Sequence, residues 1–271
     1  MGFSTIPKML KRFLSRPAPV APPSPRAPRR KFDIGVDPRC AYAIGDIHGC
    51  IDKLRRLEQA IVADAAVIES SKLLVYLGDY IDRGPDSSAV LEHLMAPPPA
   101  GFSRVCLCGN HEEALIDLVD GRRSLDDWLR LGGERTLLSY GYDLAYMTRH
   151  RRAGGGNRMA EILEAIPKRH IAFLRQLPSV LSTPSYIFVH AGLRPGVPLT
   201  EQQDQDLLWI REPFLTHGAG EDGRLVIHGH TPGNVPVATR GRVGVDTGAY
   251  MGGQLTAVRL MAGTMAFLDD R

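Results

Sequence analysis

Five short stretches place Asp, Asn and His where apolar runs end: AIGDIHG at 43–49, YLGDYIDRG at 76–84, LCGNHE at 107–112, FVHAG at 188–192 and VIHGHTP at 226–232. One buried Asp or His is ordinarily a structural hydrogen-bonding group. Five such strand ends in order are hard to explain as packing. Aspartate oxygens, an asparagine amide oxygen and neutral imidazoles suit borderline divalent ions such as manganese, iron or zinc. No thiolate is among them, which excludes a structural zinc knot. Asp46 and His48 lie two apart, just past a strand where the chain must turn, so both can reach one ion. A carboxylate shared between two ions would hold them about 3.5–4 Å apart, the spacing that clamps both oxygens of an in-line displacement. HEEAL at 111–115 opens like the zinc-peptidase pattern HExxH, but position 115 is Leu and that reading fails.

Elements must bring these residues together. The apolar runs AYAIG, LLVYLG, RVCLCG, YIFVHAG and LVIHG read as buried strands, and helical periodicity occupies 51–63, 86–95 and 111–119. That alternation predicts α/β architecture with buried strands. In open α/β sheets the carboxyl ends of strands are where ligands bind. Beyond residue 220 closely spaced strands with turn residues between them read as hairpins. The expected fold is mixed α/β, a two-sheet β-sandwich flanked by helices, with a two-metal site at strand C-terminal ends. Residues 120–180 read as a helical, substrate-shaping insertion containing the loop RHRRAGGGN at 149–157. Its glycine run follows no strand and is not a nucleotide-binding fingerprint.

The 271 residues are 44% hydrophobic and 23% charged, which suits a globular chain with a sizeable core. No stretch approaches the roughly 18 uninterrupted apolar residues of a membrane span. Eight Lys and Arg precede the first acid, Asp33, so residues 32–271 carry −5 against the chain's +3. That acidic body argues against a nucleic-acid partner. Ile6, Met9, Leu10, Phe13 and Leu14 trace one face of a short basic helix, and a Pro-rich linker follows at 17–30. Residues 1–31 are therefore expected to be a mobile extension to a catalytic domain at 32–271. Residues 1–16 either make a weak membrane-surface or protein contact or are simply solvated. Cys40, Cys50, Cys106 and Cys108 form no CxxC pair and read as small buried thiols, in keeping with a cytoplasmic location.

Together the motifs GDxHG (45–49), GDxxDRG (78–84), GNHE (109–112), HAG (190–192) and GHTP (229–232) resemble the PPP-type metallophosphatases of the calcineurin-like metallophosphoesterase superfamily. The small bacterial and phage serine/threonine protein phosphatases are the nearest resemblance, and it spans residues 41–250. It implies two divalent ions, manganese foremost, with iron or zinc as alternatives. Asp46 and His48 would hold the first, Asp79 would bridge, and Asn110, His190 and His230 would complete the second. The family's GH motif selects His230 over His228, which reads as a strand residue. A hydroxide between the metals would attack phosphorus in line. His111 resembles the general acid, with Asp82 fixing its tautomer and favouring its protonated form. Arg83 and Arg211 match two phosphate-gripping arginines, with Asn110 beside them; Arg211 is the looser match because its segment varies in spacing. Asp246, in VDTG, either orients a ligand histidine or caps a turn. Gly45, Gly49, Gly78, Gly84 and Gly109 are expected where the turns need positive φ or close approach. His93, His150, His170 and His217 read as surface or helix residues, and Trp128 and Trp209 as core.

The function expected is a phosphoprotein phosphatase acting on phosphoserine and phosphothreonine in proteins or peptides. A symmetrical dinucleoside tetraphosphate hydrolase is the alternative, followed by a phosphodiesterase and by a non-catalytic module tethered through its tail. Retention of Asp82 favours the first, because dinucleotide hydrolases that resemble this chain often lack that acid.

Overall fold

Strand β2 (Cys40–Ile44) sets the layering through its period of two. Cys40, Tyr42 and Ile44 join the core beneath the helices, while Ala41 and Ala43 join the core between the sheets. Strand β3 (Lys72–Tyr76) divides likewise, with Leu74 and Tyr76 on the helix side and Val75 between the sheets. Covering both faces explains why β2 is apolar throughout rather than alternating. The computed structural model describes residues 26–150, 158–218 and 223–271.

With β4 (Phe102–Cys106), β10 (Thr256–Met261) and β11 (Thr264–Asp269), these strands form a five-stranded sheet ordered β11-β10-β2-β3-β4. Its β2, β3 and β4 are parallel, and β10 and β11 continue it antiparallel. The second sheet is built from β1 (Lys31–Asp33), β5 (Val180–Ser182), β6 (Tyr186–Val189), β7 (Leu225–His228), β8 (Val237–Ala238) and β9 (Arg242–Gly244), ordered β1-β5-β6-β7-β9-β8. Leu181, Phe188 and Ile227 from this sheet meet Ala41, Ala43 and Val75 from the first. The expected two-sheet sandwich is present, and the hairpins after residue 220 are β8–β9 and β10–β11.

Parallel neighbours need crossovers, and helices supply them. Helix α1 (Ile51–Asp64) links β2 to β3 and buries Ile51, Leu54, Leu57 and Ile61 on one face. Helix α2 (Ser87–Met95) links β3 to β4 and is capped by Asp86, whose carboxylate accepts from Ala89 N at 3.1 Å. Helix α3 (Asn110–Val119) follows β4. All three match the periodicity in the sequence. Region 120–180 is helical as expected, through α4 (Leu125–Arg130), α5 (Gly133–Ser139), α6 (Leu144–His150), α7 (Arg158–Ala165) and α8 (Lys168–Gln176). Most of the loop RHRRAGGGN lies outside the described residues. Short helices α9 (Asp204–Trp209) and α10 (Phe214–His217) follow β6.

The expected boundary at residue 31 moves. Lys31 opens β1, which pairs in parallel with β5. Arg29 is only 8% exposed, and its guanidinium donates to Leu174 O at 3.3 Å and Leu177 O at 2.9 Å. Carbonyls at a helix C-terminus lack intrahelical partners, and here a buried arginine satisfies them at the end of α8. Arg26 pairs with Glu113 at 2.8 Å and Asp117 at 3.0 Å, and Lys31 Nζ donates to Gln202 O at 2.8 Å. Basic residues read as part of a tail are thus the fasteners of a strap, at least from Arg26 onward. The helical pattern at 1–16 lies outside the described residues. No helix among the described residues is long and apolar enough to cross a membrane. All four cysteines are free thiols.

Candidate metal centre

Strands β2, β3 and β4 run parallel in one sheet, and β6 and β7 run parallel in the other. Their carboxyl ends deliver Asp46 and His48, Asp79 and Asp82, Asn110 and His111, His190, and His230 to one edge of the sandwich. All of these residues are buried. Two groups able to hold a cation share Asp79: His48, Asp79 and His111, and Asp79, His190 and His230.

The imidazoles are oriented from behind. His48 Nδ1 donates to Ile81 O at 2.8 Å, and His190 Nδ1 donates to Leu77 O at 3.0 Å. That fixes both tautomers and turns each Nε2 lone pair inward. His190 Nε2 then lies 2.9 Å from Asn110 Oδ1 and 3.4 Å from Asp79 Oδ1. His230 Nδ1 is 3.0 Å from the same Asn110 oxygen. His48 Nε2 is 3.5 Å from Asp79 Oδ2. Asp46 sits behind this cluster, accepting the His230 N–H at 3.1 Å and sharing a hydrogen bond with Asp246.

Charge shows what the cavity suits. Burial raises Asp46 and Asp79 well above the usual carboxylate range, and neighbouring acids add to it, Asp246 for Asp46 and Glu112 for Asp79. Burial holds His48 and His190 well below the usual imidazole range and takes His230 down to about 2, helped by the charges of His190 and Arg211. Converging lone pairs and crowded carboxyls are the arrangement a pair of divalent ions relieves, so the residues present fit such ions.

Beside the cluster, His111 Nδ1 and Asp82 Oδ2 are 2.8 Å apart and fully buried, and His111 Nε2 is buried without a partner, 3.8 Å from Asp79 Oδ2. Burial lifts Asp82 to about 7, against the hydrogen bonds of Thr136 and Trp128, which hold it down. His111 is pushed well below its usual range by burial and then by Arg83 and Arg123. Arg83 NH1 donates to His48 Nε2 and to Tyr250 Oη, each at 3.2 Å, and its guanidinium lies over the Tyr250 ring. Arg211 is exposed at the rim, where its charge bears on His230 and Asp246.

Several groups at the site were not singled out in the sequence. The Glu112 carboxylate accepts four backbone N–H groups, from Asp79 and Tyr80 at 2.8 Å, Gly109 at 2.9 Å and Ile81 at 3.3 Å. It ties the turn after β3 to the start of α3. Trp128 is core as expected, yet its indole N–H donates to Asp82 Oδ2 at 3.2 Å, and Thr136 Oγ1 donates to Asp82 Oδ1 at 2.6 Å. A buried indole needs an acceptor, which was the available signal. Asp246 partners Asp46 rather than a histidine. His228 is buried and packs edge-on against Phe214, as a strand residue should. The turns themselves hold a surprise. His48, Asp79, Asp82, Arg83 and His230 all have positive φ, between 45° and 67°. Gly49 and Gly78 share that conformation, whereas Gly109 is required by contact, since a Cβ there would meet the Asp79 side chain and backbone. Left-handed backbone in non-glycine residues concentrates at functional sites.

Comparison with known proteins agrees with this geometry. The family model described as calcineurin-like phosphoesterase matches residues 41–257. Serine/threonine-protein phosphatase 1 of Salmonella typhimurium is 30% identical over 230 residues, covering 82% of this chain and 92% of its own. An asymmetrical bis(5'-nucleosyl)-tetraphosphatase of Anoxybacillus flavithermus is 26% identical over 236 residues, covering 80% and 88%. A crystal structure of a candidate diadenosine tetraphosphatase superposes with a TM-score of 0.61 at 20% identity, covering 89% and 98%, and shares the fold. The cluster of Asp, Asn and His at five strand ends and the match across most of the chain place it in the calcineurin-like phosphoesterase family, as a metal-dependent phosphoesterase.

Proposed function

We propose that the chain is a phosphomonoester hydrolase acting on phosphoserine and phosphothreonine in cytoplasmic proteins. The buried pair His111–Asp82, 2.8 Å apart, carries this reading. An alkoxide is a poor leaving group and must be given a proton, whereas a phosphate leaving from an anhydride needs none. Asp46, His48 and Asp79 would hold one divalent ion, and Asp79, Asn110, His190 and His230 the other, with manganese preferred over iron or zinc. When bound, such a pair supplies a nucleophile at neutral pH and neutralises charge on the phosphoryl group.

The chain's own residues do the rest. Arg83, braced by Tyr250, and Arg211 at the rim bind the phosphoryl oxygens, with the Asn110 amide beside them. His111 gives the proton on Nε2 to the departing oxygen. Asp82 holds the proton between its Oδ2 and His111 Nδ1, which passes to Nδ1 as Nε2 gives up its own, while Trp128 and Thr136 keep Asp82 in place. His111→Ala is expected to lower kcat on a phosphoserine peptide by about 10²–10⁴-fold and on an aryl phosphate with a good leaving group by far less. Steady-state assays of the metal-reconstituted protein on both substrates check this. Equal losses on both would remove His111 as the acid. Hydrolysis of diadenosine tetraphosphate in preference to the peptide would reassign the substrate.

A further inference from the structure

Two consecutive arginines follow α3 and diverge. Arg122 turns to the local acids, Nε to Asp117 at 2.7 Å and its terminal nitrogen to Asp120 at 2.5 Å. Arg123 does not. Its backbone N–H is fixed on Asp117 O at 3.1 Å, and its guanidinium lies over the Trp209 indole, 5.7 Å from the ring centroid. Its Nε is buried without a hydrogen-bond partner.

The wall beneath Arg123 is rigid, and its acids are engaged. Trp209 stands edge-on to His230, ring centroids 6.5 Å apart, and its indole N–H donates to Glu113 at 2.7 Å. Glu113 is also ion-paired with Arg26 at 2.8 Å. Asp127 feels the charge of Arg123 but is held by Ser124 and Arg130. Arg123 Nε therefore stands buried without an acceptor at the wall formed by Trp209. An indole under one planar face leaves the edge of the fork open for bidentate pairing with an oxyanion.

Position says which oxyanion. Arg83 bears on the His48 side and Arg211 on the His230 and Asp246 side, where the transferred phosphoryl group belongs. Arg123 stands farther out, over the Trp209 ring whose edge faces His230, beyond the grip of Arg83 and Arg211 on the phosphoryl group. A group met there is carried by the leaving alcohol. We infer that Arg123 is a specificity-determining residue that takes a carboxylate of the leaving group, so that preferred substrates carry Asp or Glu close to the phosphoserine or phosphothreonine. Each extended residue adds about 3.3–3.6 Å, so a neighbour or next neighbour has the reach. This rests on the phosphomonoesterase reading above. A second phosphate on an anhydride would also suit the guanidinium, but its departure would leave the His111–Asp82 pair without a task.

The test uses the metal-reconstituted full chain and paired phosphoserine peptides, one with Asp flanking the phosphoserine and one with Asn in its place. The expected preference in kcat/KM for the acidic peptide is about tenfold, the size of one charge-assisted pair. It should collapse towards unity in Arg123→Gln, persist in part in Arg123→Lys, reverse in Arg123→Glu and shrink as salt is raised. Equilibrium binding of the same peptides with a phosphonate in place of the phosphate should show the same ordering without turnover. A folded Arg123→Gln protein that keeps the full preference overturns the inference and leaves the phosphatase reading standing. If wild-type protein hydrolyses neither peptide, both fall. Loss of diadenosine tetraphosphate hydrolysis in Arg123→Gln, with peptide preference unchanged, would overturn it by assigning the arginine to an anhydride phosphate.

Discussion

Asp82 and His111 lie close enough to share a proton, and its fate sets a pH dependence. Burial holds Asp82 protonated up to about 7, and burial keeps His111 from taking a second proton. The pair is therefore charged with its proton below about pH 7 and loses it as pH rises through that value. Turnover of alkyl phosphates is expected to fall on that limb, while turnover of aryl phosphates with good leaving groups holds; bound dications move the limb to lower pH. Parallel pH–rate profiles on the two ester types check this, and superimposable curves would contradict it. Glu112 is the second residue with consequences. Its Ala variant leaves four backbone donors without their acceptor, a loss of about 3–5 kcal/mol, while Glu112→Gln keeps the shape and weakens all four bonds. Denaturant unfolding is expected to rank wild type above Gln and Gln above Ala. Residues such as Asp46, His48 and Asn110 were legible because their motifs are local. Glu112 was not, because its task, bracing the backbone at Asp79–Ile81, is defined only once β3 and β4 lie side by side.

At the scale of elements, the pattern in the sequence located strands and helices well where both faces are buried. The strand β2 and helices α1, α2 and α3 fall where periodicity put them, since burial on a fixed face is what the periodicity records. What α4 and α5 do for the site was not legible. Trp128 and Thr136 reach Asp82 across 46 and 54 residues, and spacing along the chain carries no sign of that. The β10–β11 hairpin gives an independent prediction. Met261 pairs with Thr264, leaving a two-residue turn of Ala262 and Gly263 with φ of 50° and 75°. Such a turn needs left-handed backbone at both positions, which alanine resists and asparagine tolerates. Ala262→Asn is expected to stabilise the protein by about 0.5–1 kcal/mol, read as a raised Tm with activity unchanged.

For the whole molecule, the strap from Arg26 to Asp33 redraws the division between tail and domain. It crosses α3, the end of α8 and the segment around Gln202 before β1 joins β5. Composition alone ran this strap into the Pro-rich linker, because Arg29 and Lys31 look like surface charge until the carbonyls they satisfy are seen. Removal of residues 1–25 is expected to leave Tm within a few degrees of wild type. Removal of residues 1–33 takes away a strand, a buried arginine and the Arg26–Glu113 pair, and should lower Tm by more than about 5 °C. Equal Tm values for the two truncations would return the boundary to residue 31.

The left-handed backbone at His48, Asp79, Asp82, Arg83 and His230 has a consequence for descent. Each position would be more comfortable as glycine or asparagine, by about 1 kcal/mol apiece. A lineage that kept this sandwich only as a scaffold would gain by mutating the site, and drift would erode it there first. Holding five uncomfortable side chains at once is a cost in stability that the site explains and the scaffold does not.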